Sequence, residues 1–269
     1  MAIHPTAIVS SAAEIHPDAD LGPHVVIDGR VRIGARTRVM AGAFLTGFTE
    51  IGEDNVIHPG AVIGHEPQDL AFAGLESYLR IGNRNTFREH SQVHRGTRPG
   101  SATVVGDDNY LMQNAHVAHN CVVGDRAIIA GGALVAGHAV VEDLAFISGN
   151  CVVHQHVRVG RLAVMRGLSR ASRDVPPFCI LDGTHTVRGT NVVGLRRAGF
   201  SRERIRDVRR ALRTLFFRPT NVQQAIARLE AEGPVSEDVA YLLAFIRSST
   251  RGVAVAPRRP SPTEADAEE

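Results

Sequence analysis

Histidine is the side chain of this sequence most able to do chemistry. Thirteen are present, and three of them, His119, His138 and His154, fall in six-residue units that start at Val117, Val135 and Val153, each three units after the last. An imidazole titrates near neutral pH, so a set brought onto one surface supplies general bases and hydrogen-bonding groups. If residues 98–104 lengthen one turn by about six residues, the Val93 unit and its His94 join the same surface one turn earlier. Isolated histidines such as His4, His16, His24 and His58 read as surface residues.

The elements that must hold these rings follow from the repeat itself. Stepping by six from Ile3 gives Val9, Ile15, Leu21, Ile27, Ile33, Val39, Leu45, Ile51, Ile57 and Ile63. The step resumes at Ile81, Phe87 and Val93, and again from Val105 through Met165, with every lead apolar. The fifth place is mostly small or β-branched, and glycine recurs at the second, as in Gly22, Gly34, Gly52, Gly82, Gly106 and Gly124. Six matches neither the helical period of 3.6 nor the strand period of two. It suits a short strand plus a corner, and three such units close one triangular coil. Roughly eight such coils, stacked at about 4.8 Å, make a prism filled by the lead side chains. Second-place glycine is expected to supply an unusual backbone angle at the corner.

Two interruptions, 69–80 and 98–104, leave the phase intact and read as loops ejected from corners, where function tends to sit. The β-helix is assigned to 1–180, ending beyond Asp174-Val-Pro-Pro177, because proline cannot donate to a ladder. A helical domain follows over 181–255, with one helix capped by Ser201 and running to about Phe217. A second starts at a capping box over Thr220–Gln223, and a third starts from about Ser236. The tail 256–269, rich in proline and charge, reads as disordered.

Composition removes several function classes. All 30 basic residues are arginine, which excludes lysine Schiff-base chemistry and a P-loop lysine. The net charge of +2 gives no reason to expect nucleic acid. Cys121, Cys151 and Cys179 have no disulfide or metal spacing, and Cys121 and Cys151 occupy interior places, so packing in a reducing cytoplasm is expected. No apolar run is long enough to span a bilayer, and the N-terminus carries no secretory pattern.

The segment Asn109-Tyr-Leu-Met-Gln-Asn-Ala-His116-Val-Ala-His119-Asn-Cys-Val-Val-Gly124 resembles the active-site stretch of the acyl-carrier-protein:UDP-N-acetylglucosamine O-acyltransferases. Gln68-Asp69-Leu, Val93-His94-Arg-Gly-Thr97, Ala136-Gly137-His138, Val153-His154-Gln155, Asp174-Val-Pro-Pro177 and Asn191-Val-Val-Gly-Leu-Arg-Arg-Ala-Gly-Phe200 look like further landmarks of that family, in its order. The resemblance implies a mainly β fold, a left-handed parallel β-helix with a C-terminal α-helical appendage. It implies transfer of a 3-hydroxyacyl chain from acyl carrier protein to the 3-hydroxyl of UDP-N-acetylglucosamine, the first step of lipid A biosynthesis, in a cytoplasmic homotrimer. His119 matches the general base, Gly137 the oxyanion donor, and Asn120 follows the base where aspartate is usual. Gln68, Asp69, His94, His116, His138 and His154 match positions around the hexosamine and the base. Gln155 and Asn191 match nucleotide contacts, Arg197 a diphosphate contact, and Gly167 the position limiting acyl length. No cofactor or metal is implied. The γ-type carbonic anhydrases share this prism and pair histidines five residues apart around zinc, a spacing absent here. Ala71 also departs from the family, where lysine is usual. Together the departures leave open an N-acyltransferase acting on a 3-amino sugar nucleotide, or a paralogue with another acceptor. A non-enzymatic trimeric scaffold is the remaining alternative.

Overall fold

The computed structural model describes residues 2–217 and 221–256, so Thr220 and the expected tail beyond Ala256 lie outside the described residues. The chain winds into a parallel β-helix of about ten turns followed by four α-helices. One face stacks Ala2–Ile3 at the bottom and Cys179–Asp182 at the top, with each strand parallel to the one below. The other two faces are joined in one sheet because Val26–Ile33 and Phe44–Ile51 run straight through a corner at Gly29 and Gly47. The count exceeds eight because Ala171 keeps the six-residue step beyond Met165 and Leu181 continues the winding outside it.

From Leu21 onward the lead residues point inward and are buried, with Ile27, Leu45, Phe87, Leu111, Val135 and Met165 each at 1% exposure or less. Aliphatic burial on this scale contributes roughly 25 cal/mol per Å² removed from water and is the main force closing the prism. The fifth-place asparagines are satisfied inside the prism by a ladder. Asn55 Oδ1 accepts the Asn85 N–H at 2.9 Å, Asn85 Oδ1 the Asn109 N–H at 2.8 Å, and Asn109 Oδ1 the Ala127 N–H at 2.7 Å.

The corners differ from the sequence expectation. The left-handed backbone falls on the fourth place, where Asn120, His138 and His156 have φ of 59°, 60° and 61°. Second-place glycine supplies a positive φ at Gly64, 82°, but elsewhere serves close approach: a Cβ on Gly52 would lie 2.6 Å from Gly82 O, and one on Gly34 2.6 Å from Gly52 O. The coils are simply too near each other there for a side chain.

Register places the histidine units as the spacing predicts. Val117 pairs with Val135 and Val135 with Val153, while Val93 pairs with Val117 across four units rather than three. Both excursions end earlier than expected, because Tyr78–Ile81 and Ala102–Val105 are strands paired with each other. The ejected loops are therefore 66–77 and 95–101.

The helical part also starts later than 181. Cys179–Asp182 turns into an antiparallel hairpin with Thr186–Thr190, and α1 begins at Val192–Arg197. Helices α2 (Arg202–Phe216), α3 (Val222–Ala231) and α4 (Glu237–Arg247) follow. Ser201 caps α2 as expected, and α3 is capped by Asn221, whose side chain accepts the Gln224 N–H at 2.8 Å. Helices and prism are held together by polar contacts: buried Asp238 takes Arg204 at 2.8 Å and Arg161 at 3.5 Å, and Arg158 donates to Phe245 O at 2.7 Å.

Candidate active site

The site is built where the second face meets its corner. On that corner the third places of successive coils are His119, Gly137 and Gln155, and the fourth places are Asn120, His138 and His156. His119 is 5% exposed. Its Nδ1 lies 3.1 Å from Asn120 Oδ1, and the same oxygen accepts the Thr97 N–H at 3.0 Å. An amide N–H can only donate, so Thr97 turns the oxygen of Asn120 toward the ring. The oxygen in turn requires a proton on Nδ1 and leaves Nε2 with its lone pair free. Asn120 is itself tied down by its N–H, which donates to Thr103 Oγ1 at 2.7 Å.

Nε2 faces Asp69 Oδ2 at 3.6 Å, and Asp69 is held by the Ala71 N–H on its other oxygen at 2.9 Å. Arg95 fastens this loop to the prism: its guanidinium donates to Gly64 O at 3.1 Å, reaches Glu66 at 3.4 Å and lies over the Phe72 ring at 5.2 Å. Gly137 touches the base from above. A Cβ there would sit 2.5 Å from His119 Cε1, so glycine is required for the ring to be where it is.

The N–H of Gly137 has no acceptor among the described residues. The third-place N–H groups of His119, Gln155, Gly131 and Gly149 likewise have none among the described residues, whereas another corner is capped. There Asp125 Oδ1 caps the Asp107 N–H at 2.8 Å and Asp143 Oδ1 caps the Asp125 N–H at 2.9 Å. Above Gly137 the equivalent residue is Gln155, which is exposed and makes no such bond, so a preorganised donor stands open beside the base.

Two rows of imidazoles frame this pair. His65, His94 and His116 form one, with His94 and His116 rings 5.0 Å apart. His119, His138 and His156 form the other, at 5.2 Å and 4.7 Å, the last pair stacked at 12°. His94 Nδ1 donates to Glu66 O at 2.6 Å, which leaves its buried Nε2 as an acceptor without a partner. Burial pushes the His94 and His138 pKa values down. Burial, followed by His94 and His119, takes His116 down to about 4. These rings are therefore neutral hydrogen-bonding groups at neutral pH.

The structure brings together Asp69, His94, His116, His119, Asn120, Gly137 and His138, with exposed His154 and Gln155 one coil higher and Gln68 exposed beside Asp69. The partner stacked on His138 is His156 rather than His154. His156 lies three six-residue steps after His138 and was legible by that spacing; Thr97 and Arg95 belong to a loop and were not. Three residues lie elsewhere on the chain. Gly167 stands on a different corner, two coils above Gly131. Asn191 is buried as the cap of α1, accepting the Gly194 N–H and donating to Leu162 O. Arg197 is exposed at the end of α1. Burial raises the thiol pKa of all three cysteines, Cys121 to about 12, as packing residues require.

A prism of six-residue repeats with an imidazole and an open amide at one corner defines a hexapeptide-repeat acyltransferase, and the model of bacterial transferase hexapeptide repeats matches residues 30–65 and 102–137. A second model, described as Udp N-acetylglucosamine O-acyltransferase domain 2, matches 174–254. The chain is 42% identical over 256 residues to the acyl-[acyl-carrier-protein]–UDP-N-acetylglucosamine O-acyltransferase of Syntrophobacter fumaroxidans, covering 94% of this chain and 99% of that one. The solved UDP-N-acetylglucosamine acyltransferase of Bacteroides fragilis is 40% identical with a TM-score of 0.89, covering 93% and 99% of the two chains. That of Francisella novicida is 30% identical with a TM-score of 0.90, covering 95% of each. This chain belongs to the family of acyl-[acyl-carrier-protein]–UDP-N-acetylglucosamine O-acyltransferases, and its prism is the left-handed parallel β-helix of those structures.

Proposed function

We propose that this chain transfers a 3-hydroxyacyl group from acyl carrier protein to the 3-hydroxyl of UDP-N-acetylglucosamine, opening lipid A biosynthesis, with His119 as general base. The reading rests on one observation: a base with Nε2 freed by Asn120 sits against an uncapped Gly137 N–H. The sugar oxygen attacks the thioester carbonyl carbon as its proton passes to Nε2. The carbonyl oxygen, now negative, is held by the Gly137 N–H. Collapse expels the carrier thiolate, which takes the proton back from His119. Both products leave neutral at the reacting atoms, and no covalent enzyme intermediate is needed. Neutral His94, His116 and His138 offer hydrogen bonds to hexosamine hydroxyl and amide groups, and Asp69 accepts one from the sugar.

The assembly is a homotrimer in this reading. Outward sixth-place residues are apolar on the first face, at Ile128, Phe146 and Val164, and on the second, at Leu134 and Val152. Two unlike apolar faces pair head to tail and close a ring. Acidic carrier protein then finds Arg202, Arg209, Arg210 and Arg213, all exposed on α2. Among the described residues, no helix is long and apolar enough to cross a membrane.

His119→Ala tests the reading. With hydroxyacyl carrier protein and UDP-N-acetylglucosamine, kcat is expected to fall at least ~10²–10⁴-fold with an unchanged thermal midpoint. Retention of turnover would remove His119 from the mechanism. Supplying the 3-amino sugar nucleotide in parallel, and weighing the products by mass, settles the acceptor that Asn120 and Ala71 leave open.

A further inference from the structure

The corner that carries His119 does not end at Gln155. Val153 pairs with Ala171, so the next third place up is Arg173 and the next second place, above His154, is Ser172. On the adjoining face Val152 pairs with Arg170, which extends the outward row of His116, Leu134 and Val152. Arg170 and Arg173 are exposed, and neither has a carboxylate partner among the described residues. The nearby carboxylate, Asp182, is already taken by Arg166 at 3.0 Å and Arg188 at 3.9 Å.

His185 is set between these two arginines. Its backbone N–H donates to Arg170 O at 3.1 Å, and its Nδ1 accepts the Ser172 N–H at 3.2 Å. That bond leaves the ring proton on Nε2, 3.2 Å from Ser172 Oγ. Burial, then Arg173, then Arg170, push the ring below its ordinary pKa, so it is a neutral donor among cations. Arg251 closes the group, its Nε donating to Ser172 O at 3.3 Å. Two guanidinium groups without a carboxylate partner among the described residues thus flank a hydroxyl and an imidazole that hydrogen-bond each other.

We infer that Arg170 and Arg173, with Ser172 and His185, bind a phosphate group of a substrate whose reacting end lies at His119. Arg173 stands three coils above His119, about 14 Å along the prism. A hexose and its linked phosphates span roughly two to three coil steps, and arginine side chains reach the remainder. Paired guanidinium groups suit phosphate through several parallel donors. The same chemistry is presented by the diphosphate of a sugar nucleotide and by the phosphodiester of the carrier's pantetheine arm. The inference rests on the acyl transfer proposed above, and the experiment separates the two.

Substitute R170Q and R173Q together and measure steady-state kinetics on each substrate. If the diphosphate is bound, KM for UDP-N-acetylglucosamine rises at least roughly tenfold, kcat moves less than about twofold, and R173K lies between. A rise confined to KM for the hydroxyacyl carrier assigns the patch to the phosphodiester instead. Both KM values unchanged would overturn the inference. Calorimetric titration of UDP and of inorganic pyrophosphate reads the patch apart from turnover. If the wild type turns over no such pair, the acyl-transfer reading fails, and the patch is then judged by titration alone. Weaker binding by the double variant supports the patch, while equal binding, or none to either protein, removes it.

Discussion

Asn120 decides which nitrogen of His119 is available, and it does so without a charge. An aspartate in its place would accept the same Nδ1–H and also stabilise the imidazolium that the proposed mechanism forms, by about 1 kcal/mol or more at this distance. The backbone would not object: Asp54 and Asp108 occupy fourth places of the same helix with φ of 57° and 58°. Asn120→Asp is therefore expected to fold normally, to raise kcat severalfold, and to move the acid limb of the pH–rate profile to higher pH. The added charge favours the protonated ring, so the free base is lost earlier as pH falls. A profile superimposable on the wild type would show that Asn120 does not act through His119. The arrangement also explains how a neutral amide serves here. Thr97 fixes which end of it meets the ring, at 3.0 Å, so the tautomer is set by backbone geometry rather than by charge.

At the scale of the element, a single coil supplies both strand and corner, and its rules are visible in the six-residue step. The step gave the inward leads, the stacking of Val117, Val135 and Val153, and the extra unit below them, because side-chain burial enforces each. It could not give the reason for second-place glycine, since the contact is with the backbone of a neighbouring coil, at least three units away along the chain. Nor could it give Thr97 or Arg95, which act from a loop whose path depends on Phe72 and Glu66. Two outcomes test the element. Gly52→Ala drives a Cβ to 2.6 Å from Gly82 O, where neither backbone can retreat without opening the prism. It is expected to cost at least about 1–3 kcal/mol, read as a lowered thermal midpoint. The stacked histidines make the second. His116 is pushed from 6.5 to about 4, so between those values the unfolded chain takes a proton that the folded one refuses. Stability is thus complete above about pH 6.5 and is lost progressively as pH falls toward 4. Thermal midpoints measured across that window are expected to fall less steeply for His116→Gln, and equal slopes would contradict the burial argument.

For the whole molecule, one chain holds only part of the proposed site. His119 and Gly137 stand on one corner, whereas Gly167, Asn191 and Arg197 lie over others, and no bending of a stacked prism brings corners together. If Gly167 limits acyl length, it does so in a neighbouring copy. The structure makes this testable, because a Cβ on Gly167 meets nothing nearer than Gly149 O at 3.6 Å, an ordinary contact. Gly167→Met therefore folds without strain in the single chain, and any change in chain length arises between copies. Alone, it is expected to accept only short hydroxyacyl chains of about ten carbons, the pocket floor being raised by the thioether. His119→Ala alone is expected to be inactive on every length. If the proposed homotrimer forms, co-expression yields mixed trimers in which an intact His119 faces the native Gly167 of an inactive neighbour. Long-chain transfer then returns in the mixture although neither parent has it. Were Gly167 to line the site of its own chain, every active His119 would remain beside methionine, and product analysis by mass would find short chains only.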